Sequence, residues 1–101
     1  MNEQAIFQML GIAMRARKIV SGEDTVVRDV RAGRAALVLM ATDASDNTKK
    51  KLADKCNSYN VPLIEWGTRY EIGHAIGKEA RVTVAIAERK LAAKLIQLLN
   101  E

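Results

Sequence analysis

The sequence predicts an α/β fold: a three-layer α-β-α sandwich with a central mixed four-stranded sheet and about five helices. Three observations predict it. Segments whose apolar residues recur three and four positions apart alternate with short apolar runs, as helices alternate with strands in layered folds. Two of those runs, Ala35 to Ala41 and Val82 to Ala87, are largely apolar, without a clear alternation. Strands covered on both faces read this way. Glycine and proline punctuate the segments at Gly22, Gly33, Pro62, Gly67 and Gly77.

The first helix runs from Asn2 to about Met14, with Ile6, Met9, Leu10 and Ala13 on one face. Asn2 is its expected cap, and Arg15, Arg17 and Lys18 load its C-terminal end, where the helix dipole favours cations. Ile19 and Val20 form a brief β-branched strand. Val20 to Arg34 is the organising stretch: a turn at Ser21 and Gly22, a helix, and a stop at Gly33. Ser21 and Gly22 both suit the N-cap, and Ser21 followed three residues later by Asp24 matches a capping box. Ala35 to Ala41 is the second strand, and Ser45 caps a helix from Asp46 to about Ser58. Pro62 cannot continue that helix. Leu63 to Trp66 is the third strand. Thr68-Arg69-Tyr70-Glu71 is a second capping box, opening a helix that reaches Ile76 and stops at Gly77. Lys78 to Arg81 is a charged loop. Val82 to Ala87 is the fourth strand, and Glu88 to Leu99 the last helix, with Leu91, Leu95, Leu98 and Leu99 on one face.

A chain of 101 residues is expected to form a single domain, here 1–101, with a core that needs no disulfide or metal. Its 49% hydrophobic and 28% charged residues exclude a disordered chain. One cysteine, Cys56, permits no internal disulfide, which fits a reducing compartment, the cytoplasm. With one cysteine and one histidine there are too few soft ligands for a zinc site, so no metal and no cofactor are expected. Met1-Asn2-Glu3-Gln4 carries no basic n-region, so no secretory leader is expected, and no apolar run reaches membrane length. The net charge of +4 and a pI near 9.5 bias the chain toward acidic partners, of which nucleic acid is the commonest.

Candidates for catalysis are sparse. Cys56 sits beside Leu52 and Ala53 on the apolar side of its helix and reads as core. His74 reads as a surface or packing residue. The phosphate-binding glycine motifs of nucleotide enzymes are absent. Basic residues carry more information. Arg15, Arg17 and Lys18 precede the organising stretch, Arg28, Arg31 and Arg34 follow its turn, and Lys78 and Arg81 lie in the loop before the last strand. A sheet that brings both loops to one edge would gather these cations into a footprint for a phosphate backbone. Lys49, Lys50 and Lys51 read equally as a solvated face or as phosphate contacts. Aromatic residues are too few and too scattered for base stacking on a sheet, so recognition of folded RNA by loops and helix ends is the better fit. The alternative is a protein–protein module that docks an acidic partner on the same surface.

Two strings, Gly22 to Gly33 and Ala36 to Asp43, resemble the signature of the kink-turn-binding ribosomal protein superfamily, and the similarity continues through Tyr70 to Gly77 and Val82 to Ile86. Asp43-Ala44-Ser45 with the following Asn47-Thr48-Lys49-Lys50-Lys51 is closest to the small bacterial YlxQ-like group. The resemblance implies an α-β-α sandwich and binding of structured RNA such as ribosomal RNA, with no catalysis; separately, a monomer is expected. The resemblance also implies two grips. One falls on Gly22, Glu23, Asp24, Thr25 and Arg28, to which the reading of the basic residues adds Lys18 and Arg31 as RNA-binding candidates. The other falls on Ile76, Gly77, Lys78, Glu79, Ala80 and Arg81. Arg28, Lys78 and Arg81 would then meet phosphates, while Glu23, Asp24, Thr25 and Glu79 would bond bases or ribose. The chain departs from the superfamily pattern in two places. Strong kink-turn binders present an Asn-Glu pair where Asp24-Thr25 stands, and apolar residues around the loop glutamate where Lys78 and Ala80 flank Glu79. An ionised Asp only accepts hydrogen bonds, so a related RNA shape with more backbone contact is expected.

Overall fold

The computed structural model describes residues 1–101. Five helices and four strands follow one another as α1 (Glu3–Arg15), β1 (Ile19–Ser21), α2 (Glu23–Arg31), β2 (Leu37–Met40), α3 (Asp46–Ser58), β3 (Leu63–Glu65), α4 (Arg69–Ala75), β4 (Thr83–Ile86) and α5 (Arg89–Leu99). The sheet order is β1-β4-β2-β3. β4 runs antiparallel to both β1 and β2, and β2 runs parallel to β3, so the sheet is mixed. β1, β2 and β3 therefore point one way and β4 the other. This gives the sheet two ends. At the first lie the segments that leave β1, β2 and β3 and the loop that enters β4. At the second lie the segments that enter β1, β2 and β3 and the one that leaves β4.

The two central strands are buried throughout, and their alternate residues feed separate cores. Leu37, Leu39, Val84 and Ile86 pack with α1, α4 and α5 through Ile6, Leu10, Ile72 and Leu95. Val38, Met40 and Ala85 pack with α2 and α3 through Val26, Val30, Leu52 and Cys56. The alternation of side chains across a strand explains why one largely apolar run serves two helix layers. Thr83 is the buried polar exception in β4, and its hydroxyl donates to the Leu39 carbonyl at 2.7 Å.

Most caps follow the sequence. The Asn2 side chain accepts from the Ala5 amide, Ser45 from Thr48, and Glu88 from Leu91. Thr68 and Glu71 exchange both bonds of a capping box. At the start of α2 the Ser21–Asp24 capping box is a correction, since that helix has no such box. Its N-cap is Gly22, with no side-chain bond, because Ser21 is held in β1 opposite Val84. Four helices end on the same backbone motif, in which the second residue past the cap donates back five positions. These bonds run from Lys18 to Ala13, Arg34 to Asp29, Val61 to Cys56, and Lys78 to Gly73, at 2.8–2.9 Å. The left-handed residue is Gly33 after α2 and Gly77 after α4, but it is Arg17 (φ 58°) after α1 and Asn60 (φ 57°) after α3.

Candidate nucleic-acid interface

At the first end of the sheet, the start of α2 and the loop into β4 are neighbours. The Gly22 amide donates to the Thr83 carbonyl at 3.1 Å, and the Arg81 Nε donates to the Ser21 hydroxyl at 3.1 Å. Antiparallel pairing of β1 with β4 makes this juxtaposition unavoidable, since Ser21 faces Val84. Gly22 takes φ 96°, a conformation that side chains disfavour, and so turns the chain from strand into helix within one residue. The free amides of the first α2 turn then open onto this end, with no side chain covering them.

Asp24, Arg28 and Arg31 lie at i, i+4 and i+7 on α2 and form one exposed stripe about 10 Å long. With Lys51 they line an open groove of ≈ 430 Å³ between α2 and α3. Arg28 is 69% exposed, and its nearest acid oxygen is on Asp29 at 3.9 Å, so its cation remains available. Glu23 is not free in this way. Its carboxylate accepts from the Thr48 hydroxyl at 2.7 Å and from Lys51 at 3.2 Å, which ties α2 to α3. Those bonds, Thr48 first and Lys51 second, outweigh burial and hold the Glu23 carboxyl below the usual carboxylate range. Thr25 is half-buried beside it.

In the loop, Lys78 and Glu79 are exposed, and neither takes part in an ion pair. The loop folds back on α4 at Gly73, where a Cβ would stand 2.8 Å from the Ala80 Cα. Only glycine allows that approach. Ile76 is buried in the larger core at 4% exposure and offers no side chain to a ligand. Arg81 turns inward, bonding Ser21 through Nε and the Ala80 carbonyl through Nη1. It latches the loop to β1. A further brace lies beside it. The Arg69 amide and guanidinium grip Asp43 at 3.0 and 3.2 Å, and the Arg81 amide donates to the Arg69 carbonyl. Burial raises the Asp43 carboxyl, but the Arg69 bonds outweigh it and leave the group below its ordinary value.

The expected gathering of all the basic residues is corrected. Lys18 lies at the second end, where its carbonyl accepts from Ala87 as β4 leaves the sheet. Arg17 stands beside it in sequence. The whole of β1 separates both from Gly22. Lys49 and Lys51 are engaged by Glu65 and Glu23, which leaves Lys50 as the member of that run without an ion-pair partner. Cys56 is buried among α2 and α3, and burial pushes its thiol up to about 11, so it is a thiol at neutral pH. His74 packs on Phe7 across the other face of the sheet, so the two cannot form a nucleophile–base pair.

Sequence reasoning missed the Ser21–Arg81 latch, the Asp43–Arg69 brace and the role of Glu23 in joining two helices. It also missed the docking of the loop on α4, for which Gly73, a glycine inside a seven-residue helix, was the available signal.

The sequence pattern of the ribosomal protein L7Ae/L30e/S12e/Gadd45 family matches residues 4–96. The chain belongs to that family. A relative in Bacillus subtilis (strain 168), the RNA-binding protein YlxQ, is 54% identical over 94 residues, 93% of this chain and 94% of the relative. YlxQ of Enterococcus faecium is 40% identical over 99 residues, covering 98% and 95% of the two chains. Among solved structures, a Bacillus halodurans C protein of unknown function superposes with a TM-score of 0.93 at 42% identity, over 95% of this chain and 97% of the other. The Giardia lamblia 15.5kD RNA binding protein superposes at 0.82 and 19% identity, over 96% and 86%, and shares the family's fold. No helix is long and apolar enough to cross a membrane.

Proposed function

We propose that this family member is a non-catalytic, monomeric, single-domain binder of structured RNA, acting in the cytoplasm on ribosomal or kink-turn-like RNA. The grip is the start of α2 together with the loop before β4. The observation that carries this is the pairing of those two segments at one end of the sheet, with open helix amides between exposed Arg28 and exposed Lys78. Curated relatives named as RNA-binding proteins, similar over nearly the whole chain, support the same partner. The separation of Cys56 and His74 on opposite faces of the sheet supports a role without catalysis.

In this proposal Arg28, Lys78 and, farther along α2, Arg31 meet phosphates. Asp24, Thr25 and Glu79 face bases or ribose. Glu23, Ile76 and Arg81 hold the grip in shape rather than touch RNA, and Gly73 and Gly77 set the path of the loop through Ala80. Arg28→Ala is expected to weaken binding across RNA sequences and to lower the slope of log affinity against log salt by about 1. A titration of a hairpin RNA with an internal loop at several salt concentrations measures this, and an unchanged slope would remove Arg28 from the interface. Asp24 accepts hydrogen bonds but repels nearby phosphates. Asp24→Asn should therefore tighten binding to a kink-turn RNA in the same titration, and a loss of affinity would refute the repulsion.

A further inference from the structure

The second end of the sheet also carries a mainly basic surface that the grip described above does not use. Arg17 and Lys18 enter β1 there, and the Lys18 carbonyl accepts from the Ala87 amide at 2.7 Å, which sets them beside the start of α5. Along the solvent face of α5, Arg89, Lys90, Ala93, Lys94 and Gln97 are exposed, with no acid among them. A groove of ≈ 330 Å³ runs between that helix and the turns entering β2 and β3, with Arg34 and Arg89 on its walls. Two carboxylates lie in this neighbourhood: Glu88 caps α5 and keeps its charge, and Asp29 is paired with Arg34, which sets that cation aside. Glu88 accepts from the Leu91 amide at 2.6 Å, and Asp29 accepts from Arg34 at 3.0 Å.

We infer that this second end is a separate contact surface for the phosphate backbone of duplex RNA, so that one molecule bridges two RNA segments. The proposal rests on the RNA-binding role above for the identity of the polyanion. The surface has the composition of a backbone contact. Its exposed α5 face offers cations and small or polar side chains, without the large apolar or aromatic anchors that organise protein interfaces. It also lacks the apolar stripe that a membrane-surface helix needs. The body of the protein, 30 × 26 × 25 Å, stands between the two ends, so their cations face different segments of RNA.

The test compares the wild-type chain with K18Q/R89Q/K90Q and with R28Q/K78Q. Each is titrated by fluorescence anisotropy with a short blunt RNA duplex and with a hairpin carrying an internal loop, from about 50 mM salt upward. The triple variant is expected to lose roughly tenfold in affinity for the blunt duplex and to lower the salt slope by about 2 to 3. Wild type should bring a donor-labelled hairpin and an acceptor-labelled duplex into one complex, and the triple variant should not. Equal duplex binding by wild type and triple variant overturns the proposal. So does a wild type that ignores the duplex, whether or not it retains an acidic polypeptide instead. The first grip fails separately, if R28Q/K78Q binds the hairpin as wild type does. All three substituted side chains are exposed, and matched thermal melts confirm folding. Should the triple variant misfold, R89Q and K94Q singly give the same reading, each lowering the slope by about 1.

Discussion

Glu23 shows how a residue can stand where ligand chemistry is expected and still do structural work. An acidic residue in the first turn of α2 suits the helix dipole. Nothing local says that Thr48 and Lys51, more than twenty positions away, will take both carboxylate oxygens. The same holds for Arg81, a cation in a charged loop whose guanidinium is turned to Ser21. Long-range partners are invisible to spacing rules, and for this reason the residue types at the candidate site were legible and their engagement was not. Glu23 carries a pH dependence. Its carboxyl titrates lower in the fold than when unfolded, so its stabilisation is fully present above the ordinary value of about 4.3 and is lost as pH falls through the lowered one. Glu23→Gln should therefore lower the melting temperature at neutral pH, and the gap from wild type should close on acidification. Melting curves across that range test this, and a gap constant with pH would show that Glu23 contributes by packing alone.

Among the elements, those with their own punctuation were read correctly. Asn2, Ser45 and the Thr68–Glu71 pair cap the helices they precede because each has its partner amide within one turn. Ser21 carries the same local signature but is held in β1, where the sheet ladder outweighs a cap and Gly22 takes over the turn. Helix stops follow the same division. Gly33 and Gly77 announce themselves, whereas Arg17 and Asn60 adopt the same conformation without the residue that signals it. The docking of the loop on α4 depends on Gly73. Gly73→Ala would set a methyl group 2.8 Å from the Ala80 Cα, against backbone that cannot swing aside. A loss of about 1–3 kcal/mol is expected, with faster amide exchange through Lys78 to Val82 and weaker RNA binding. Thermal melts and hydrogen exchange measure both, and unchanged protection in the loop would show that the contact is not needed.

For the whole molecule, the alternation of elements and the two largely apolar runs sufficed to give three layers, because a strand buried on both faces requires helices on both. What they could not give was strand direction. β4 lies between β1 and β2 and runs against both, and this arrangement decides which loops share an end. It joins the start of α2 to the loop before β4, and it sends Arg17 and Lys18 to the far side. The central claim is that structured RNA lies across the first end. Ultraviolet crosslinking of the wild-type chain to a hairpin RNA with an internal loop, followed by mass spectrometry of the adducted peptides, tests it most directly. Adducts are expected on peptides spanning Gly22 to Arg31 and Gly77 to Arg81. A map with adducts elsewhere and none on either segment would contradict the account.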